Sequence, residues 1–112
     1  MRIAILTLAL AAAALAADVA GKWTFHMETE GGPRSVPATF TVEGGKVAGK
    51  WGEFDAKGTF RDGKLELLFP VTSAEAGATA ELRVTGALEG DAIKGTWRWS
   101  EHGGTFQARR AD

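Results

Sequence analysis

From Trp23 onward, apolar and polar residues alternate almost without a break, and turn-forming residues interrupt them at short intervals. Alternation of period two marks strands with one buried and one wet face, and no stretch of helical period is long enough to compete. The pattern predicts eight strands, at about 22–29, 35–43, 46–51, 54–61, 64–71, 78–88, 92–99 and 104–110. Gly44-Gly45, Asp62-Gly63 and Glu89-Gly90-Asp91 read as tight hairpin turns, where glycine supplies positive φ. Glu30 to Arg34, Thr72 to Gly77 and Ser100 to Gly103 read as longer, looser links. If every link joins neighbouring strands, the tight turns gather at one end, the bottom. The looser links and the short Gly52-Glu53 turn then gather at the top.

One register places all ten aromatic residues on a single face, from Trp23 and Phe25 on the first strand to Phe106 on the last. Threonines and charged residues fill the opposite face, with Leu68 as the exception. A phrase recurs on the apolar face: Val19-Ala20-Gly21-Lys22-Trp23, Val47-Ala48-Gly49-Lys50-Trp51, and the looser Ile93-Lys94-Gly95-Thr96-Trp97. Glycine two residues before a ring puts both on one side, the small residue making room for the large one. With no helix to cover such a face, closure into a barrel hides it and removes the sheet edges. The expected fold is therefore all-β, an eight-stranded antiparallel up-and-down meander barrel, with a two-sheet β-sandwich as the alternative. Inward glycines favour the barrel because they act as kink points where strands bend round a small cylinder.

Ahead of the strands stand Met1-Arg2, an apolar run from Ile3 to Leu15, and small residues up to Asp18. A charged start, a short apolar stretch and an Ala-x-Ala site are the layout of a secretory signal, so residues 1–17 are read as a signal peptide and 18–112 as one barrel domain. The run is shorter than the ~20 residues a bilayer-spanning helix needs. A secreted or periplasmic location follows, with no membrane span after cleavage. The chain has no cysteine, so its fold rests on burial alone even in an oxidising compartment. Without Arg2, 12 basic residues stand against 14 acidic ones, a balance that draws neither nucleic acid nor an anionic membrane.

The glycine-tryptophan openings and the closing basic residue resemble calycin-type barrels, the broad group of lipocalins, fatty-acid-binding proteins and avidins. The hairpin phrases at Val47–Trp51 and Lys94–Trp97 are more similar to avidin hairpins than to long lipocalins. The resemblance implies a barrel floor in which the Arg110 guanidinium lies over the Trp23 indole. It does not extend to biotin, because the avidin pocket uses asparagine and tyrosine and this chain has neither. A looser likeness to small secreted bacterial protease-inhibiting barrels lacks their disulfide.

Nothing on the inward face except Arg110 is polar, and the nucleophile elbow and phosphate loop of common enzymes are absent, so no catalytic residue or cofactor is expected. His26, Glu28 and Glu30 share an exterior face, but one histidine without further ligands makes no metal site. An eight-stranded barrel is wide enough either to be filled by side chains or to hold one small molecule. Ten rings opposite glycines and alanines point toward filling. A cavity, where present, is expected to open at the top among Met27, Trp51, Phe54, Phe69 and Trp99, with His102 at its rim near Arg34 and Glu75. The expected function is a non-catalytic module that binds a small apolar ligand at its loop end. The alternative is a packed barrel that binds a protein, as an inhibitor or an envelope accessory factor.

Overall fold

A computed structural model describes residues 18–111; the signal-peptide reading of residues 1–17 lies outside them. Eight strands follow in order: β1 (Gly21–Thr29), β2 (Gly32–Glu43), β3 (Lys46–Trp51), β4 (Phe54–Arg61), β5 (Lys64–Ser73), β6 (Ala78–Glu89), β7 (Ala92–Trp99) and β8 (His102–Arg110). Each pairs antiparallel with the next, and β1 pairs with β8 from Trp23↔Arg110 to Met27↔Phe106. That last ladder closes the barrel and excludes the sandwich. The alternating face is the inside, where Trp23, Phe25, Phe40, Leu65, Leu67, Phe69, Val84 and Ile93 are all but inaccessible to solvent.

Three links differ from the sequence reading. β1 and β2 pair up to Thr29↔Gly32, leaving the two-residue turn Glu30-Gly31, in which Thr29 Oγ1 donates to Gly32 O at 2.6 Å. β7 and β8 pair up to Trp99↔His102 around Ser100-Glu101, with Ser100 in the left-handed region at φ 54°. The β5–β6 link alone is longer, four residues between Ser73 and Ala78. The loose top loops are therefore mostly tight turns. Gly32-Pro33 and Gly103-Gly104, which look like breakers, lie inside strands instead. Pro33 and Pro37 are tolerated because β3 ends at the pair Ala38↔Trp51, so this part of β2 has a neighbour on one side only.

The recurring glycines act mainly on the backbone rather than on the rings. A methyl group at Gly49, Gly58 or Gly95 would collide with the carbonyl oxygen of Thr39, Glu66 or Thr85, each on the adjoining strand. These are places where neighbouring strands press together as the sheet coils, and only a residue without Cβ allows it. Gly86 makes space for a ring, since a Cβ there would stand 2.8 Å from Phe106 Cζ, and Gly104 serves both roles: a Cβ there would collide with the Glu28 carbonyl of β1 and stand 3.0 Å from Trp97 Nε1.

The bottom is sealed by the Asp18–Ala20 segment that precedes β1. Val19 is completely buried, and its carbonyl accepts the Trp23 indole N–H at 2.9 Å. Arg110 clamps the same segment, donating from Nη1 to Ala20 O (2.8 Å) and from Nη2 to Asp18 O (2.7 Å). Its guanidinium carbon lies 4.4 Å from the centre of the Trp23 ring. A planar donor fork that also stacks on an indole is chemistry arginine performs and lysine does not.

Candidate functional site

Strand lengths decide where the barrel is full and where it is open. Phe25 forms the centre of the packing, with its ring 4.5 Å from Trp51, 5.1 Å from Phe106 and 6.0 Å from Phe40, centre to centre. Above this layer three ladders end early, β2 and β3 pairing no higher than Ala38↔Trp51. β4 and β5 pair only between Gly58↔Leu67 and Arg61↔Lys64, and the β1–β8 ladder ends at Met27↔Phe106, although the Glu28 carbonyl still crowds Gly104. Strands no longer drawn together by a ladder leave room between their side chains, and a hollow of about 510 Å³ opens toward the top. Its wall is apolar, formed by Met27, Val36, Trp51, Val71, Leu82, Trp97 and Trp99, and its mouth carries Glu30, Arg34, Ser73, Glu75 and His102.

The two tryptophans of β7 bridge the gaps that the short ladders leave. Trp97 Nε1 donates to Glu28 O on β1 at 3.2 Å, and Trp99 Nε1 donates to Val71 O on β5 at 3.0 Å. Each bond skips a strand, because β8 separates β7 from β1 and β6 separates it from β5. Backbone carbonyls that lost a ladder partner thus receive an indole N–H, as buried polar groups require. No buried side-chain nitrogen or oxygen is left without a partner among the described residues.

The mouth is held by two exposed polar pairs. Arg34 on β2 donates to Glu75 in the β5–β6 link at 2.7 Å, tying together strands that are not neighbours. The hydrogen bond from Arg34, and then its charge, hold the Glu75 carboxyl below the ordinary glutamate range. His102 Nδ1 donates to Glu30 Oε1 at 2.9 Å, and its ring stacks on Trp99 with 6.2 Å between centres and 16° between planes. At the rim the Arg34 guanidinium is thus engaged by Glu75 and the His102 ring by Glu30.

Of the residues expected around a cavity, Met27, Trp51, Trp99 and His102 line this hollow, and so do Arg34 and Glu75. Phe69 does not line it: it is fully buried, with its ring 6.0 Å from Trp51. Phe54 packs half-buried against the core from the β3–β4 hairpin and does not reach the lining. Val36, Val71, Leu82 and Trp97 were not foreseen in the wall. The pairs Phe25↔Val36 and Leu82↔Trp99 set their height, and such levels follow from register rather than from alternation. On the outside, His26 contacts the Ser35 hydroxyl (3.1 Å) while Glu30 turns to His102, so the exterior trio is divided between different partners.

Chemically, the arrangement offers an aromatic and aliphatic wall under a rim of paired polar side chains. It suits capture of an apolar body by burial, with the rim governing entry. No family model, no curated protein and no solved structure matches the chain.

Proposed function

We propose that the protein is a secreted or periplasmic calycin-like module that binds one small apolar or aromatic molecule in the hollow at its top, without catalysis. The observation that carries this reading is the open space of about 510 Å³ walled by three tryptophans, a methionine and aliphatic side chains. Pockets of a few hundred Å³ with apolar walls and few polar groups are the usual form of small-molecule sites. The closed up-and-down topology supports the calycin-like reading, since such barrels hold a ligand along the axis where strands stop packing. A filled interior would favour a protein-binding role carried by the outer surface; the hollow favours the pocket.

The affinity such a wall supports can be bounded. Burying about 300 Å² of apolar ligand surface at about 25 cal/mol per Å² yields roughly 7 kcal/mol, which corresponds to a Kd on the order of 10 μM. Titration of the intrinsic tryptophan fluorescence with naphthalene-type dyes and medium-chain fatty acids tests this. Saturable changes at micromolar concentrations are expected, weakened at least tenfold by Leu82→Arg, which fills the hollow with a charged chain. No saturable response from any apolar probe would refute the proposal.

A further inference from the structure

Three of the four tryptophans spend their indole N–H on backbone carbonyls: Trp23 on Val19, Trp97 on Glu28 and Trp99 on Val71. Trp51 differs. It is 4% exposed, yet its Nε1 donates to no acceptor among the described residues. Nor is that nitrogen sealed off, since no buried side-chain nitrogen lacks a partner. Its N–H therefore retains contact with open space. Phe25 and Phe69 pack against the ring at 4.5 and 6.0 Å, and the open space Trp51 adjoins is the hollow.

We infer that Trp51 is the polarity-reading residue of the pocket, and that its ligand is a compact apolar molecule with one neutral hydrogen-bond acceptor, a carbonyl or ether oxygen, at its buried end. This rests on the pocket reading proposed above and narrows the ligand class. Deep in the apolar wall Trp51 offers one N–H to a ligand's buried end, while hydroxyl groups such as Ser73 stand at the mouth. An ionised carboxylate is excluded at that depth because one neutral donor does not offset the desolvation of a full charge. A pure hydrocarbon fits the wall but leaves the N–H without a partner once water is expelled, which costs affinity. The paired charges of the rim stay outside this contact, since Arg34 and Glu75 hold each other.

The test compares acetylnaphthalene with ethylnaphthalene, two probes of nearly equal size that differ in the acceptor, on the wild type and on Trp51→Phe. The ratio of their dissociation constants is measured in each protein, so that differences in water solubility cancel. Loss of the indole N–H is expected to shift that ratio by about three- to tenfold against the ketone, the range of one net hydrogen bond. Ethylnaphthalene binding in Trp51→Phe should persist and reports that the variant is folded. In the wild type, NMR should show the Trp51 Hε1 signal moving downfield with the ketone and not with the hydrocarbon. Without ligand, that proton should exchange with solvent at least tenfold faster than those of Trp23 and Trp97. An unchanged ratio, or a Trp51 Hε1 that exchanges as slowly as that of Trp23, overturns the assignment of Trp51 while leaving the pocket intact. Failure of both probes to bind overturns the pocket reading itself and this inference with it.

Discussion

Replacing Arg110 by methionine keeps an unbranched apolar stem over the Trp23 ring but removes the charge and both donors. In the native protein, that guanidinium stacks on the indole at 4.4 Å and bonds the carbonyls of Asp18 and Ala20 at 2.7 and 2.8 Å. At a solvent-exposed position the cation–π contact is worth about 0.5–1 kcal/mol. Each hydrogen bond adds about 0.5–1.5 kcal/mol net, and because the three share one group they do not simply add. A loss of about 2 kcal/mol is expected, a large share of the 5–15 kcal/mol typical of a domain. For a domain of this size it lowers Tm by about 8–16 °C. Urea unfolding followed by tryptophan fluorescence measures the change directly. Hydrogen exchange of the Trp23 indole N–H should accelerate, because the Val19 segment it bonds is released. Arg110→Lys keeps the charge but not the planar fork, so it should lie between the wild type and the methionine variant. A change below about 0.5 kcal/mol in Arg110→Met, with Trp23 exchange unaltered, would show that the floor is held by Val19 burial alone.

Gly95→Ala places a methyl group into the Thr85 carbonyl of the adjoining strand, so the β6–β7 ladder must part or the strand must shift. A loss above about 3 kcal/mol, or failure to fold, is expected by denaturant titration, whereas the turn substitution Gly77→Asn, where nothing lies within 4 Å, should cost far less. The Arg34–Glu75 link should depend on acid. Arg34 lowers the folded-state pKa of Glu75 relative to the unfolded chain, so the link stabilises the protein above the ordinary glutamate pKa and is lost as pH falls through the lowered value. Because both partners are exposed, the effect at neutral pH should be small and should shrink with salt. A double-mutant cycle with Arg34→Met and Glu75→Gln, followed across an acid titration, should show coupling at pH 7 and none at the acid end. Coupling that persists in acid would contradict the assignment.

Alternation, ring placement and glycine spacing sufficed for the strand count, the inside and outside of each strand and barrel closure, because these depend on a period of two that every strand carries in its own residues. The pairing of Trp23 with Arg110 was legible for the same reason, since closure makes the first and last strands neighbours. Turn lengths were less legible. Gly32-Pro33 and Gly103-Gly104 look like breakers on the chain, but each sits where a ladder ends on one side, and only the assembled sheet shows that Pro33 needs no donor there and that Gly104 has no room for a side chain.

The hollow was decided by the tertiary structure. Large-against-small packing is met around Phe25, and fails above it, where the β2–β3, β4–β5 and β1–β8 ladders stop. How far two strands pair depends on stagger accumulated around the whole barrel, which no local pattern encodes. The same holds for the tryptophans. Their inward direction is a property of the sequence, but whether an indole N–H meets Val19, Glu28, Val71 or open space depends on backbone brought from strands that are not its neighbours.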